Sequence, residues 1–99
     1  MLDVEAAHLE IVKRILRKHV PGAKVMAFGS RVTGTAAAYS DLDLAIKTER
    51  GLDFSVVGNM RMDFEESSLP FRVDILDWSA ISPEFRKTIE ARCETISPP

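Results

Sequence analysis

Along the first twenty residues the apolar positions fall at Leu2, Ala6, Leu9, Val12, Leu16 and Val20, joined by Ile11 and Ile15, with charges between them. Steps of three and four put these side chains on one helical face, so the spacing predicts a helix over 2–20, ended by Pro21 and Gly22. The run 24–28 reads as a short buried strand closed by Gly29-Ser30, and Ser30 is a suitable cap for a brief helix reaching Thr35. The period then changes. Over 41–46 the pattern alternates strictly, with Leu42, Leu44 and Ile46 on one side and Asp41, Asp43 and Ala45 on the other, as in a strand with carboxylates along one face.

A polar connection containing Gly51 leads to 54–69, where Val57, Met60, Phe64 and Ser68 or Leu69 recur at helical steps, although Gly58 and Asn59 weaken the helix. After Pro70, residues 71–76 form a third strand, and Ser82-Pro83 supplies the cap and first-turn proline of a helix reaching about Cys93. Ser97-Pro98-Pro99 reads as a frayed tail. The order αβαβαβα implies one domain over 1–99, of α/β (α+β) class, with a small mixed sheet covered by helices. Strands 41–46 and 71–76 flank a helix long enough for a crossover, so they are expected to be parallel neighbours joined right-handedly.

Composition narrows the function. A chain of 99 residues supports one core, and 45% hydrophobic with 28% charged residues argues against disorder. Thirteen basic against fifteen acidic residues give a net charge of −2, a poor footprint for long nucleic acid but no obstacle to a single triphosphate. No apolar stretch nears the roughly 20 residues that span a bilayer, and Asp3, Glu5 and Glu10 are unlike a signal peptide, so no membrane association and a cytoplasmic location are expected. The single cysteine, Cys93, excludes an internal disulfide framework and reads as inert packing, with no neighbouring His or Lys to activate it.

The candidate chemistry is acidic. Asp41 and Asp43, two apart on a strand, put both carboxylates on one face within about 7 Å. Unit charges about 4 Å apart at an effective dielectric near 20 repel by roughly 4 kcal/mol, so the pair calls for a cation or a raised pKa. Magnesium suits it, since that ion takes one or two carboxylates and completes its shell with water and phosphate oxygens. Alone, Asp-x-Asp more often describes a solvated edge strand. Gly29-Ser30 adds a turn where backbone can approach phosphate, though it also fits an ordinary turn and cap. Asp74, a charge inside the apolar run 71–76, costs stability unless it is paired or metal-bound, and equally reads as an edge-strand charge or an ion pair with Arg72. Asp77 is a rival third carboxylate, but its odd offset sends it to the opposite face. His8 and His19 lack metal-ligand spacing and read as surface or capping residues, and Trp78 reads as a core anchor.

Taken together, Gly29-Ser30-Arg31-Val32-Thr33-Gly34 through Tyr39-Ser40-Asp41-Leu42-Asp43-Leu44 resembles the signature of the DNA polymerase beta-like nucleotidyltransferase superfamily. Within it the chain is most similar to the minimal nucleotidyltransferase (MNT) antitoxins of HEPN/MNT toxin–antitoxin pairs. The resemblance runs from the first helix to the helix after Ser82-Pro83. It implies that Gly29 and Ser30 cradle the triphosphate of ATP, that Asp41, Asp43 and Asp74 are catalytic and hold magnesium, with two ions expected, and that Arg31 is a candidate phosphate ligand. Many minimal members carry a charged residue in the loop before Asp-x-Asp, where this chain has Ala36-Ala37-Ala38-Tyr39-Ser40. The implied activity is AMP transfer from ATP to a protein hydroxyl, a tyrosine of a HEPN-type helical toxin. The alternatives are transfer to a small molecule such as an aminoglycoside or to an RNA end, or neutralisation by contact alone.

Overall fold

A computed structural model describes residues 2–96. Helix α1 (Ala6–His19) turns Val12, Ile15 and Leu16 inward and ends at Val20, whose amide still reaches the Leu16 carbonyl. Strand β1 (Lys24–Phe28) follows, then the one-turn helix α2 (Ser30–Thr33), strand β2 (Leu42–Lys47), helix α3 (Phe54–Glu66) and strand β3 (Val73–Asp77). A short 3-10 turn (Trp78–Ala80), helix α4 (Pro83–Ala91) and strand β4 (Glu94–Ile96) complete the chain.

The four strands lie in the order β3-β2-β1-β4. β1 pairs antiparallel with β2 and with β4, whereas β2 and β3 are parallel, as the helix between them requires. The alternation in β2 sets the layers. Leu42, Leu44 and Ile46 are fully buried beneath α1 and α3, with Val12, Leu16, Val25, Met60 and Phe64 among their neighbours. Truncating any one of them to alanine is expected to cost about 2–5 kcal/mol. On the other face a smaller cluster of Met26, Ala45, Trp78 and Ile89 is covered by α4 and the 3-10 turn. This second layer stops short of the strand ends that carry Asp43 and Asp74, both partly exposed, and of the exposed Asp41.

Several expectations shift at their edges. α1 begins at Ala6 instead of residue 2, because the preceding segment is tied to α2, where Asp3 N–H donates to the Arg31 carbonyl at 2.7 Å. Leu2 and Val4 still pack on the core from that segment. The cap of α2 is Gly29, with Ser30 the first helical residue and no side-chain cap. α3 stops at Glu66, where the Ser67 hydroxyl donates to the Phe64 carbonyl at 2.6 Å. Ser82 and Pro83 do start α4, with the Ser82 hydroxyl accepting from Phe85 N–H. α4 ends at Ala91, and residues 94–96 form a fourth strand that the sequence pattern did not disclose. The tail expected over 97–99 lies outside the described residues. Among those described, no helix is long and apolar enough to cross a membrane.

Asp77 follows the face its offset dictates and fastens the fold. One carboxylate oxygen accepts from the Ser79 amide and hydroxyl, the other from Leu52 N–H, tying the loop after β2 to the end of β3. Burial pushes its carboxyl upward, but these donors outweigh it and hold the pKa below the ordinary value. Trp78 is buried, with the Arg86 guanidinium 5.3 Å from its ring and donating to its carbonyl. His19 pairs with Asp63 at 2.6 Å across the α1–α3 contact, and His8 meets the Phe71 ring edge-on.

Candidate active site

The parallel pairing of β2 with β3 sets Asp43 directly beside Asp74, and on the other side of β2 the antiparallel register sets Phe28 beside Asp43. Asp41 lies one residue before β2, on the carboxylate side of the alternation. The backbone there is held by Leu42 N–H, which donates to the Arg72 carbonyl at 2.8 Å. Burial, then Asp74 and then Asp41 push the Asp43 carboxyl above the ordinary aspartate range. These causes identify the three carboxylates as electrostatic neighbours, the condition in which a divalent cation is most favoured.

Gly29 follows β1 immediately, in a left-handed conformation with φ 83° and ψ −157° that side chains rarely adopt. A Cβ at this position would collide with Asp43 Oδ2 and stand 3.3 Å from its Cγ. Glycine here thus lets the Asp43 carboxylate lie against the turn that begins α2. As in any first helical turn, the Ser30 and Arg31 amides have no carbonyl partner within the helix, so the turn presents donors beside the acidic row.

Arg31 has a different post from the phosphate contact expected of it. Its side chain is 5% exposed and lies with its guanidinium 4.2 Å from the Phe71 ring centre. Nε donates to Ser40 O at 2.9 Å, Nη1 to Asp3 O at 2.7 Å and Nη2 to Ala38 O at 3.0 Å. These bonds pin the loop that delivers Asp41. The signal in the sequence was the run Ala36-Ala37-Ala38, whose side chains cannot satisfy the loop's carbonyls, so a donor from elsewhere was needed.

Two hollows flank the acidic row. One, of about 730 Å³, is lined by Tyr39, Asp41, Arg61, Phe71, Arg72 and Asp74 among others. The other, of about 600 Å³ and largely apolar, is lined by Phe28, Gly29, Thr33, Phe85, Thr88 and Arg92 among others. Phe28 and Phe85 meet edge-to-face there, with ring centres 5.8 Å apart. The sequence assigns no role to Tyr39, Arg61 or Phe85 and offers Arg72 only as an ion-pair partner of Asp74, because residues from separate elements meet only once the sheet is formed.

Among the described residues no group of three or more His, Cys, Asp or Glu side chains is placed so that it could hold a metal ion. The donor set nonetheless fits magnesium in kind: oxygen ligands only, mutually repelling carboxylates, and an open side where water and phosphate oxygens can complete the shell.

Comparison with known proteins identifies the family. The sequence profile described as "Polymerase beta, Nucleotidyltransferase" matches residues 10–97. A Haemophilus influenzae protein described as "Probable protein adenylyltransferase MntA" is 52% identical over 88 residues, covering 89% of this chain and 77% of the relative. A toxin–antitoxin crystal structure with AMP-PNP shares the fold at a TM-score of 0.73 and 23% identity, covering 88% of this chain and 70% of that one. The complex of a tri-AMPylated Shewanella oneidensis HEPN toxin with its MNT antitoxin does so at a TM-score of 0.63 and 21% identity, with the same coverage of each chain. The acidic row, the glycine turn and these similarities together establish that the chain belongs to the polymerase beta nucleotidyltransferase family.

Proposed function

We propose that this protein transfers AMP from ATP to a hydroxyl of a protein partner, a tyrosine on a helical HEPN-type toxin, and thereby acts as an antitoxin in the cytoplasm. The observation that carries the reading is the placement of Asp43 between Asp74 and Gly29, so that a carboxylate row abuts a turn with free amides. The relative at 52% identity described as a protein adenylyltransferase supports the choice of AMP and of a protein acceptor.

In this reading Gly29 and the first-turn amides of α2 bind the triphosphate. Asp41 and Asp43 would hold magnesium, and Asp74 would complete that site or take the acceptor's proton. When bound, the metal neutralises charge on the phosphates and polarises the reacting phosphorus. The acceptor oxygen attacks the α-phosphorus, a new P–O ester bond forms, the bond to the β-phosphate oxygen breaks, and pyrophosphate leaves in line. The hydroxyl proton passes to the Asp74 carboxylate or to water. Arg31 acts indirectly, by fixing the loop that positions Asp41.

Intact-mass measurement of a tyrosine-bearing helical partner incubated with this protein, ATP and magnesium tests the reading. The expected result is a gain of AMP on the partner that disappears with Asp41→Asn and Asp43→Asn. An unmodified partner, or modification by the double variant at the wild-type rate, would reject it.

A further inference from the structure

Resting on that reading, we propose that Tyr39 is a self-modification site: without a partner, the chain transfers AMP from ATP to the hydroxyl of its own Tyr39. Tyr39 is the only tyrosine of the chain. It stands two residues before Asp41 and lines the same cleft as Asp41 and Asp74. Its side chain is 78% exposed, and among the described residues its hydroxyl has no hydrogen-bond partner. The backbone around it is fixed, because the Arg31 guanidinium donates to the carbonyls of the residues before and after it, Ala38 O at 3.0 Å and Ser40 O at 2.9 Å. A free side chain is thus mounted on a pinned loop beside the acidic row.

None of the cleft's described lining comes from β1 or α2, where the Gly29 turn lies, so the cleft opens on the acceptor side of the row. At most about 7 Å of backbone separates Tyr39 from Asp41, a span that a tyrosine side chain can fold back across to reach a phosphate held there. The neighbouring hydroxyls are already engaged: Ser40 Oγ accepts from Ala37 N–H at 2.8 Å, and Thr33 and Thr35 share a hydrogen bond at 3.0 Å. In the transfer, Tyr39 Oη attacks the α-phosphorus and a P–O ester bond forms. The bond to the β-phosphate oxygen breaks, pyrophosphate leaves, and the phenolic proton goes to the Asp74 carboxylate or to water. Because site and acceptor belong to one molecule, the step needs no encounter and runs at a high effective concentration. The product is a singly charged phosphodiester. Beyond the catalytic carboxylates the cleft's charged groups are Arg61, Arg72 and Glu65, a net positive wall that retains it. The attached AMP then fills the space a partner's tyrosine enters, so an idle enzyme closes itself.

The test is intact-mass measurement of the purified protein incubated with ATP and magnesium but no partner, followed by peptide mapping. The expected result is a gain of one AMP, mapped to residue 39, that is lost in Tyr39→Phe and in the Asp41→Asn, Asp43→Asn double variant. When wild type is mixed with an isotopically labelled double variant, only the wild type should gain mass, at a fractional rate independent of protein concentration. AMP transfer to the helical partner should fall in proportion to the fraction of chain modified beforehand. No mass gain, AMP on another residue, modification of the inactive chain, or undiminished transfer by the modified chain would overturn the proposal. The partner's own mass reports separately on AMP transfer, so a modified partner beside an unmodified chain rejects the self-modification alone.

Discussion

Gly29 and Asp43 share one space: the volume a side chain would need at Gly29 is filled by the Asp43 carboxylate. The turn and the acidic strand are thereby fitted to each other. Gly29→Ala therefore has two costs, a left-handed backbone at φ 83° and the displacement of Asp43. The expected outcome is a stability loss of about 1–3 kcal/mol in a denaturant titration and a fall in kcat/KM for AMP transfer of about a hundredfold or more.

The carboxylate row is unfavourable to the protein without its ion. Burial and the neighbouring Asp74 and Asp41 raise the Asp43 pKa, so the ionised form is less stable folded than unfolded, and the cost is present above the ordinary carboxylate range. Asp43→Asn is expected to raise the metal-free Tm at neutral pH by roughly 2–4 °C, since about 0.5 kcal/mol corresponds to such a shift in a small domain. The same substitution should lower AMP transfer by about 10²–10³-fold. Differential scanning calorimetry beside a transfer assay checks both.

Arg31 separates two roles. A phosphate ligand at the surface would change ATP binding and leave the free protein's stability alone. A buried anchor of the Asp3, Ala38 and Ser40 carbonyls should matter before any nucleotide is present. Arg31→Leu is expected to destabilise the nucleotide-free protein by about 2–4 kcal/mol, because three carbonyls lose a charged donor. Hydrogen exchange at residues 36–41 should rise with it.

The α1–α3 contact carries a pH signature. Hydrogen bonds from His19 and then Lys18 hold the Asp63 pKa below its ordinary 3.8. A depressed carboxyl contributes stability above its unfolded pKa and loses it as pH falls through the folded value, so the contribution fades below about pH 4. Asp63→Asn should therefore be less stable than wild type at neutral pH, and the gap should close on acidification, as followed by urea titrations across that range.

Much of this arrangement was legible in the residues. Strict alternation over β2 locates the acidic face, the length of the 54–69 segment implies parallel neighbours, and the odd offset of Asp77 excludes it from the row. What stayed hidden was non-local. β4 is three residues long and acquires its identity only by pairing with Val25, Met26 and Ala27, far away in sequence. Arg31 looks like a surface cation along the chain because the segments that bury it, around Asp3, around Ala38 to Ser40 and at Phe71, come together only in the fold. Arg61, Arg72 and Tyr39 have no shared pattern along the chain and meet only in the cleft.

Anomalous diffraction from crystals grown with manganese and α,β-methylene-ATP reads the acidic site most directly. Manganese density between the carboxylates of Asp41, Asp43 and Asp74, with the triphosphate against the Gly29 turn, is the expected result. A metal held elsewhere, or a nucleotide bound away from that turn, would contradict it.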